Sequence, residues 1–394
     1  MKYNFDEVID RKGTHAVKVE RLPKGADKDS LSLWIADMDF ACAEPILKAL
    51  HERIDRKIFG YTMYDADECM DAVTGWMKKR YGWNESRENL FFCPGVVAAY
   101  AALINLLTEP GDGIVLQRPI YYPFTNKANS NGRIPVDNAL IYENGAYRID
   151  FEDLDRKMAD PANKVLVVCS PHNPTGRVWE REEIEKAMEI YKANECVVIS
   201  DEIWSDLTLP GFKHIPTQSV SKDARERTIA LYAPSKTFNL AGLVGSYHII
   251  YNRMLRDRVE KASSLSHYNS PNVLSVHALI GAYRPEGYQW VDELREVLKS
   301  NADYAYNYIL EHFKGVKLSK PEGTYMLYLD CEEWCKEHDT DMDTLLKAGV
   351  AVGVIWQDGR PFHRPYAIRL NLALPHVLVK EAFDRMDKYV FNAK

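Results

Sequence analysis

The stretch TIALYAPSKTFNLAGL, Thr228 to Leu243, joins an apolar, β-branched run to a proline, a serine, a single lysine and the small residues of a helix start. The run Thr228–Pro234 reads as a strand, and its consecutive apolar positions predict burial on both faces. Lys236 then stands just beyond a strand's carboxyl end, where ligands bind in open α/β sheets.

The same pattern recurs on either side. GIVLQ (113–117), KVLVVCS (164–170), CVVISDE (196–202) and SYHIIY (246–251) read as further strands, and helical patterns such as EREEIEKAMEIYKAN (180–194) lie between them. This alternation predicts an α/β fold: a large domain whose mostly parallel sheet is sandwiched by helices. After GAYRPEGY the character changes to a long amphipathic helix, QWVDELREVLKSNADYAYNYILEHF, followed by shorter strands, GTYMLYLD and YAIRLNLAL. These predict a smaller α/β domain. The expected division is an N-terminal segment, 1–45, packing with the small domain, a large domain, 46–284, and the small C-terminal domain, 285–394.

Composition limits the function. The 394 residues are 46% hydrophobic and 27% charged, an ordinary globular balance. A formal net charge of -7 argues against nucleic acid as a partner, which would demand clustered Lys and Arg. The start, MKYNFDEVIDRKG, lacks the apolar core of a secretory signal, and runs such as VLVVC are too short to cross a bilayer, so a cytoplasmic protein without membrane attachment is expected. Seven scattered cysteines predict no disulfide framework, and CEEWC has helical spacing without a ligand cluster, so no metal is expected.

The chemistry gathers at the strand exits. KVLVVCS leads into PHNPTG with Asn173, CVVIS into Asp201 and Glu202, TIALYAP into Ser235 and Lys236, and FFCPG opens a helix at Gly95-Val96-Val97. Singly each has a plain reading: Asn173 as a turn residue, Asp201 as a helix cap, Gly95 as punctuation. Together they set an amide, a carboxylate, an ammonium and a helix amino end where one ligand can touch them all. Pyridoxal 5'-phosphate needs this set: a lysine for its aldehyde, a carboxylate for its ring nitrogen and N–H groups for its phosphate. Tyr121 or Tyr122 in RPIYYPF offers a face for the ring, or core packing.

The series YYPF, SPHNPTG, SDEIW, APSKTFNLAGL and IRLNLALP resembles the fold-type I pyridoxal-phosphate enzymes, the class I/II aminotransferase superfamily with the aspartate aminotransferase-like fold. LWIADMDF, PGVV and SKTFN, with Val244 where many relatives carry a phosphate-binding arginine, make it similar to the MalY/PatB group of cystathionine β-lyases. The resemblance implies Lys236 and Tyr121 as catalytic side chains, Lys236 as the Schiff-base lysine and proton carrier and Tyr121 stacked on the ring. It implies Asp201 on the ring nitrogen, Asn173 on the phenolic oxygen, and Gly95, Val96, Val97 and Ser235 around the phosphate. It implies Arg369 on the substrate carboxylate, and Tyr61 of FGYT reaching the phosphate of a neighbouring subunit, hence a homodimer. Trp204, where relatives often carry Tyr or His, is expected to line the pocket wall.

The expected reaction is α,β-elimination on L-cystathionine or a related cysteine S-conjugate, giving thiol, pyruvate and ammonia. The alternatives are a class I/II aminotransferase, using the same lysine, aspartate and arginine, and a regulatory binding protein that keeps the fold and a protein partner.

Overall fold

A segment with no polar face can only be satisfied by cover on both sides. In the computed structural model, which describes residues 1–266 and 268–392, the five expected runs join Leu90–Cys93 and the partly exposed edge strand Ile134–Ala139 in one seven-stranded sheet. The order is Leu90–Cys93, Ser246–Ile250, Thr228–Tyr232, Val197–Asp201, Asn163–Cys169, Gly113–Arg118, Ile134–Ala139. The last five pair in parallel, while Ser246–Ile250 runs antiparallel to both neighbours. Leu90–Cys93 therefore points the same way as the five, and all six forward strands deliver their carboxyl ends to one edge. The strand expected over Thr228–Pro234 stops at Tyr232 because Pro234, which has no N–H to pair, opens the helical turn Pro234–Thr237 instead.

Apolar side chains from both faces of this sheet, among them Ile199, Ile229 and Leu231 on one side and Leu166 and Val198 on the other, are buried under helices. The helix Arg181–Ala193 shows why a local sequence becomes an element: Glu180 and Glu183 close a reciprocal capping box, and Ile184, Ala187, Met188 and Tyr191 bury one face at three- and four-residue spacing.

A second sheet has the order Leu31–Leu33, Val354–Asp358, Ala367–Asn371, Met326–Asp330, Lys317–Leu318. Its first strand comes from the N-terminal segment and lies parallel to Val354–Trp356. The long helix Pro285–His312 buries Trp290, Val291, Leu294, Leu298, Ala302, Ala305 and Ile309 along one stripe. The expected unit 285–394 ends on two residues, 393 and 394, outside the described ones. No described helix is long and apolar enough to cross a membrane.

One turn joins the two sheets. Gly176 of the PHNPTG turn has φ +74°, and a Cβ there would press to 3.1–3.2 Å of Pro321 and the Gly323 carbonyl. Its own carbonyl accepts from the N–H groups of Glu322 and Gly323, both at 2.9 Å. Arg177 beside it donates to Glu322 at 2.6 and 2.8 Å, so the turn carrying Asn173 is held by residues that lead into the strand Met326–Asp330.

Candidate active site

The strand exits meet at a cavity of about 240 Å³. Gly95, Val96, Val97, Tyr121, Asn173, Asp201, Ser235 and Lys236 all line it. So do Ala36, Ile203, Trp204, Ala241, Val244 and Gly245, none of which but Trp204 and Val244 the motifs single out.

Each functional group is placed by its strand. Asp201 ends Val197–Asp201, where the chain turns and its Oδ1 accepts from the Ile203 N–H at 3.2 Å. Burial pushes its carboxyl up to about 7, against the pull of that N–H and of Lys236. Lys236 sits in the turn Pro234–Thr237, and its Nζ donates to the Ala36 carbonyl at 2.7 Å. Desolvation and then the Arg369 charge bring the Lys236 amine down to about 8, with Asp37 and Asp201 opposing. A cavity-lining amine so shifted can accept a proton near neutral pH far more readily than an exposed lysine.

The helix Val96–Leu107 begins at Gly95, whose φ of +97° a side chain would resist. Its N–H is taken: it donates to Ser246 Oγ at 2.9 Å, and Ser246 in turn donates to the Cys93 carbonyl at 3.0 Å. Gly95 therefore shapes the turn, and the first-turn N–H groups that follow it, from Val96 and Val97, lack intrahelical partners and are the ones left free to receive an anion.

Asn173 is buried and its Oδ1 accepts from Arg369 at 3.0 Å, which leaves the amide N–H groups as its donors. Arg369, on Ala367–Asn371, also donates to the Trp34 carbonyl at 3.1 Å and lies 4.9 Å over the Phe362 ring, while its buried Nε has no partner among the described residues. Tyr121 borders the cavity at the start of the helix Tyr122–Ser130, its phenol pushed up to about 12 by burial and so held protonated. Trp204 is buried on the wall, 5.5 Å from Lys236 Nζ to its ring centroid and edge-on to Tyr325. Val244, where an arginine would stand in many relatives, takes the left-handed conformation with φ +51°, unusual for a β-branched residue.

Tyr61 is not in this cavity. It is fully exposed, beside exposed Ile58, Phe59 and Met63, and lines a separate recess with Ser270–Val273.

Amine, carboxylate, amide, aromatic face and free helix N–H groups thus surround one space, the donor and acceptor set that an aromatic aldehyde phosphate requires.

Residues 28–386 match the family Aminotransferase class I and II. The chain is 39% identical over 350 residues to cystathionine beta-lyase PatB of Bacillus subtilis, covering 89% of this chain and 90% of that protein. The structure of the pyridoxal-phosphate-bound C-S lyase from Staphylococcus hominis superposes with a TM-score of 0.91, at 34% identity over 98% of each chain. Cystalysin from Treponema denticola, which contains pyridoxal 5'-phosphate, superposes with a TM-score of 0.93, at 30% identity over 100% of each chain. The two-sheet architecture is the aspartate aminotransferase-like fold, and the chain belongs to the class I and II aminotransferase family.

Proposed function

We propose that the protein is a pyridoxal 5'-phosphate-dependent carbon–sulfur β-lyase, converting L-cystathionine or a related cysteine S-conjugate and water to a thiol, pyruvate and ammonia. The observation that carries this reading is one cavity bordered by an amine brought down to about 8, a buried carboxylate and an arginine-bound amide, in a chain similar to named lyases.

When bound, the cofactor supplies an electrophilic aldehyde and a protonated ring that delocalises the electron pair left at Cα. Lys236 would hold the aldehyde, and its neutral amine would accept the Cα proton. Asp201 would accept the N–H of the ring nitrogen and keep that proton in place. Asn173 would donate to the phenolic oxygen, and Val96, Val97 and Ser235 to the phosphate. Tyr121 would give its face to the ring. Arg369 grips the substrate carboxylate with its planar fork, orienting the Cα–H bond.

Tyr61 acts across a homodimer interface, a proposal supported by the exposed apolar run Ile58, Phe59, Tyr61 and Met63. Equal mixing of Tyr61→Ala and Lys236→Ala chains tests it: recovery of activity in the mixture is expected, and none would overturn it. The division into 1–45, 46–284 and 285–394 is likewise proposed from sheet membership, and the cytoplasm is the proposed compartment.

The deciding experiment supplies L-cystathionine to the loaded enzyme without any keto acid. Stoichiometric pyruvate, ammonia and thiol are expected. Turnover only on addition of a keto acid would make the protein a transaminase instead.

A further inference from the structure

The segment Trp34–Asp39 spends nearly every carbonyl on a polar side chain from elsewhere in the fold. Arg369 donates to Trp34, Asn371 to Ile35 at 2.7 Å, and Lys236 and Tyr325 to Ala36 at 2.7 and 3.0 Å. Asn371 also donates to Asp37 at 2.6 Å, and Asn239 to Met38 at 2.8 Å, while Asn239 accepts from the Met38 N–H at 2.9 Å. One strap therefore touches the turn that carries Lys236 and the strand that carries Arg369.

From its outer side the strap is gripped by two cations. Lys18, whose side chain is wholly buried, donates to Asp39 Oδ2 at 2.8 Å and to the Asp37 carbonyl at 3.0 Å. Arg11 spans both carboxylates, reaching Asp37 at 3.0 and 3.1 Å and Asp39 at 2.6 Å. The Lys18 carbonyl closes the loop by accepting from Trp34 Nε1 at 2.9 Å. Two carboxylates are matched by two cations, an arrangement that desolvation makes costly to break on one side only.

We propose that Lys18 and Arg11 are positioning residues for the reaction: by holding the paired carboxylates of Asp37 and Asp39 they fix the strap whose carbonyls seat the Lys236 amine and the Arg369 guanidinium. The inference rests on the lyase reading for the reaction it serves. Its physical content is that a carbonyl acceptor holds a neutral amine through its N–H and leaves the lone pair free to take a proton. The Ala36 carbonyl is such an acceptor, and its position is set by an ion cluster outside the cavity. No side chain is needed at position 36, which explains how an alanine serves there.

The test compares Lys18→Met, Arg11→Gln and Arg11→Lys with the unaltered holoenzyme on L-cystathionine, alongside melting temperature and bound cofactor. In parallel, cofactor-free protein is reductively methylated and the modification of Lys236 is followed by peptide mass spectrometry. Lys18→Met is expected to lower kcat and raise KM, for a fall of about tenfold or more in kcat/KM per cofactor bound, as misplacement of reacting groups does. Methylation of Lys236 is expected to slow by about threefold, because an unbalanced carboxylate keeps the amine protonated. Arg11→Gln gives smaller changes of the same kind, and Arg11→Lys restores part of both. Unaltered kinetics and labelling in folded Lys18→Met would overturn the proposal, as would a loss that follows only the fraction of folded protein. If Lys18→Met does not fold, Arg11→Gln, at the partly exposed end of the cluster, decides by the same criteria. If the unaltered enzyme does not cleave L-cystathionine, the lyase reading fails, and the Lys236 labelling rate still decides the positioning claim.

Discussion

The two walls of the cavity are built from different materials. The wall at the large sheet presents side chains, Asp201, Asn173, Lys236 and Tyr121, each carried to the edge by the end of its own strand or the turn that follows. The other wall, formed where the strap Trp34–Asp39 reaches the cavity at Ala36, presents backbone carbonyls that receive Lys236, Tyr325 and Arg369. On the first wall the chemistry lies in residue type, so substitution there should remove a reacting group. On the second it lies in where the backbone is held, so substitution should misplace groups that remain present.

The largest effect expected on the first wall is that of Lys236→Ala. Steady-state turnover should fall by about 10⁴-fold, the upper range for loss of a positioned acid–base group. Residual activity within tenfold of the unaltered enzyme would remove Lys236 from the reaction and erase the contrast between the walls. Asp201→Asn should cost about 10²-fold or more in kcat, since the amide carries no charge to hold the ring proton. Arg369→Lys keeps the charge and loses the fork, with its bonds to both Asn173 and the Trp34 carbonyl. KM for the amino acid should rise about tenfold, equivalent to about 1.4 kcal/mol, with kcat changing less. On the second wall, Tyr325→Phe deletes one of the two donors to the Ala36 carbonyl and should lower stability by about 1 kcal/mol. Denaturant titration reads that change, and a loss of activity as large as that of Asp201→Asn would show that the strap supplies chemistry of its own.

A further effect is one of pH on the cofactor-free protein. The Asp201 carboxyl is raised by burial from an ordinary 3.8 to about 7, so between those values the folded chain binds more protons than the unfolded one. Its contribution to stability is complete below about pH 4 and is lost as pH rises through about 7. Asp201→Asn should flatten that part of the stability profile, measured by denaturant unfolding across the range. A profile of unchanged slope would mean that the carboxyl is solvated and that the first wall is less desolvated than its geometry requires.

What could be read from the amino-acid sequence divides along the same line. Strand exits advertise themselves because an apolar run that stops at Asp201, or at Ser235-Lys236, leaves a polar group at a known edge of a sheet. Asn173 and the Gly95 turn were legible for the same reason, although the Gly95 N–H proves to be engaged by Ser246, 151 residues further along the chain and beyond any local signal a motif could give. The strap was visible only as the motif LWIADMDF. That Ala36 accepts from Lys236 has no signature in residue type, since every residue offers a carbonyl. Nothing in the sequence singles out Lys18 or Arg11, and only the tertiary fold brings them to Asp37 and Asp39. Of the second sheet only Met326–Asp330 and Ala367–Asn371 were legible; Lys317–Leu318 and Leu31–Leu33 are too short to show a period, and Val354–Asp358 was not legible as a strand.

The most direct measurement is reduction of the pyridoxal-phosphate-loaded protein with borohydride, followed by digestion and peptide mass spectrometry. The cofactor adduct is expected on the peptide containing Lys236 and on no other. An unmodified Lys236 peptide, with the adduct found on a different lysine, would contradict the assignment of this cavity as the active site.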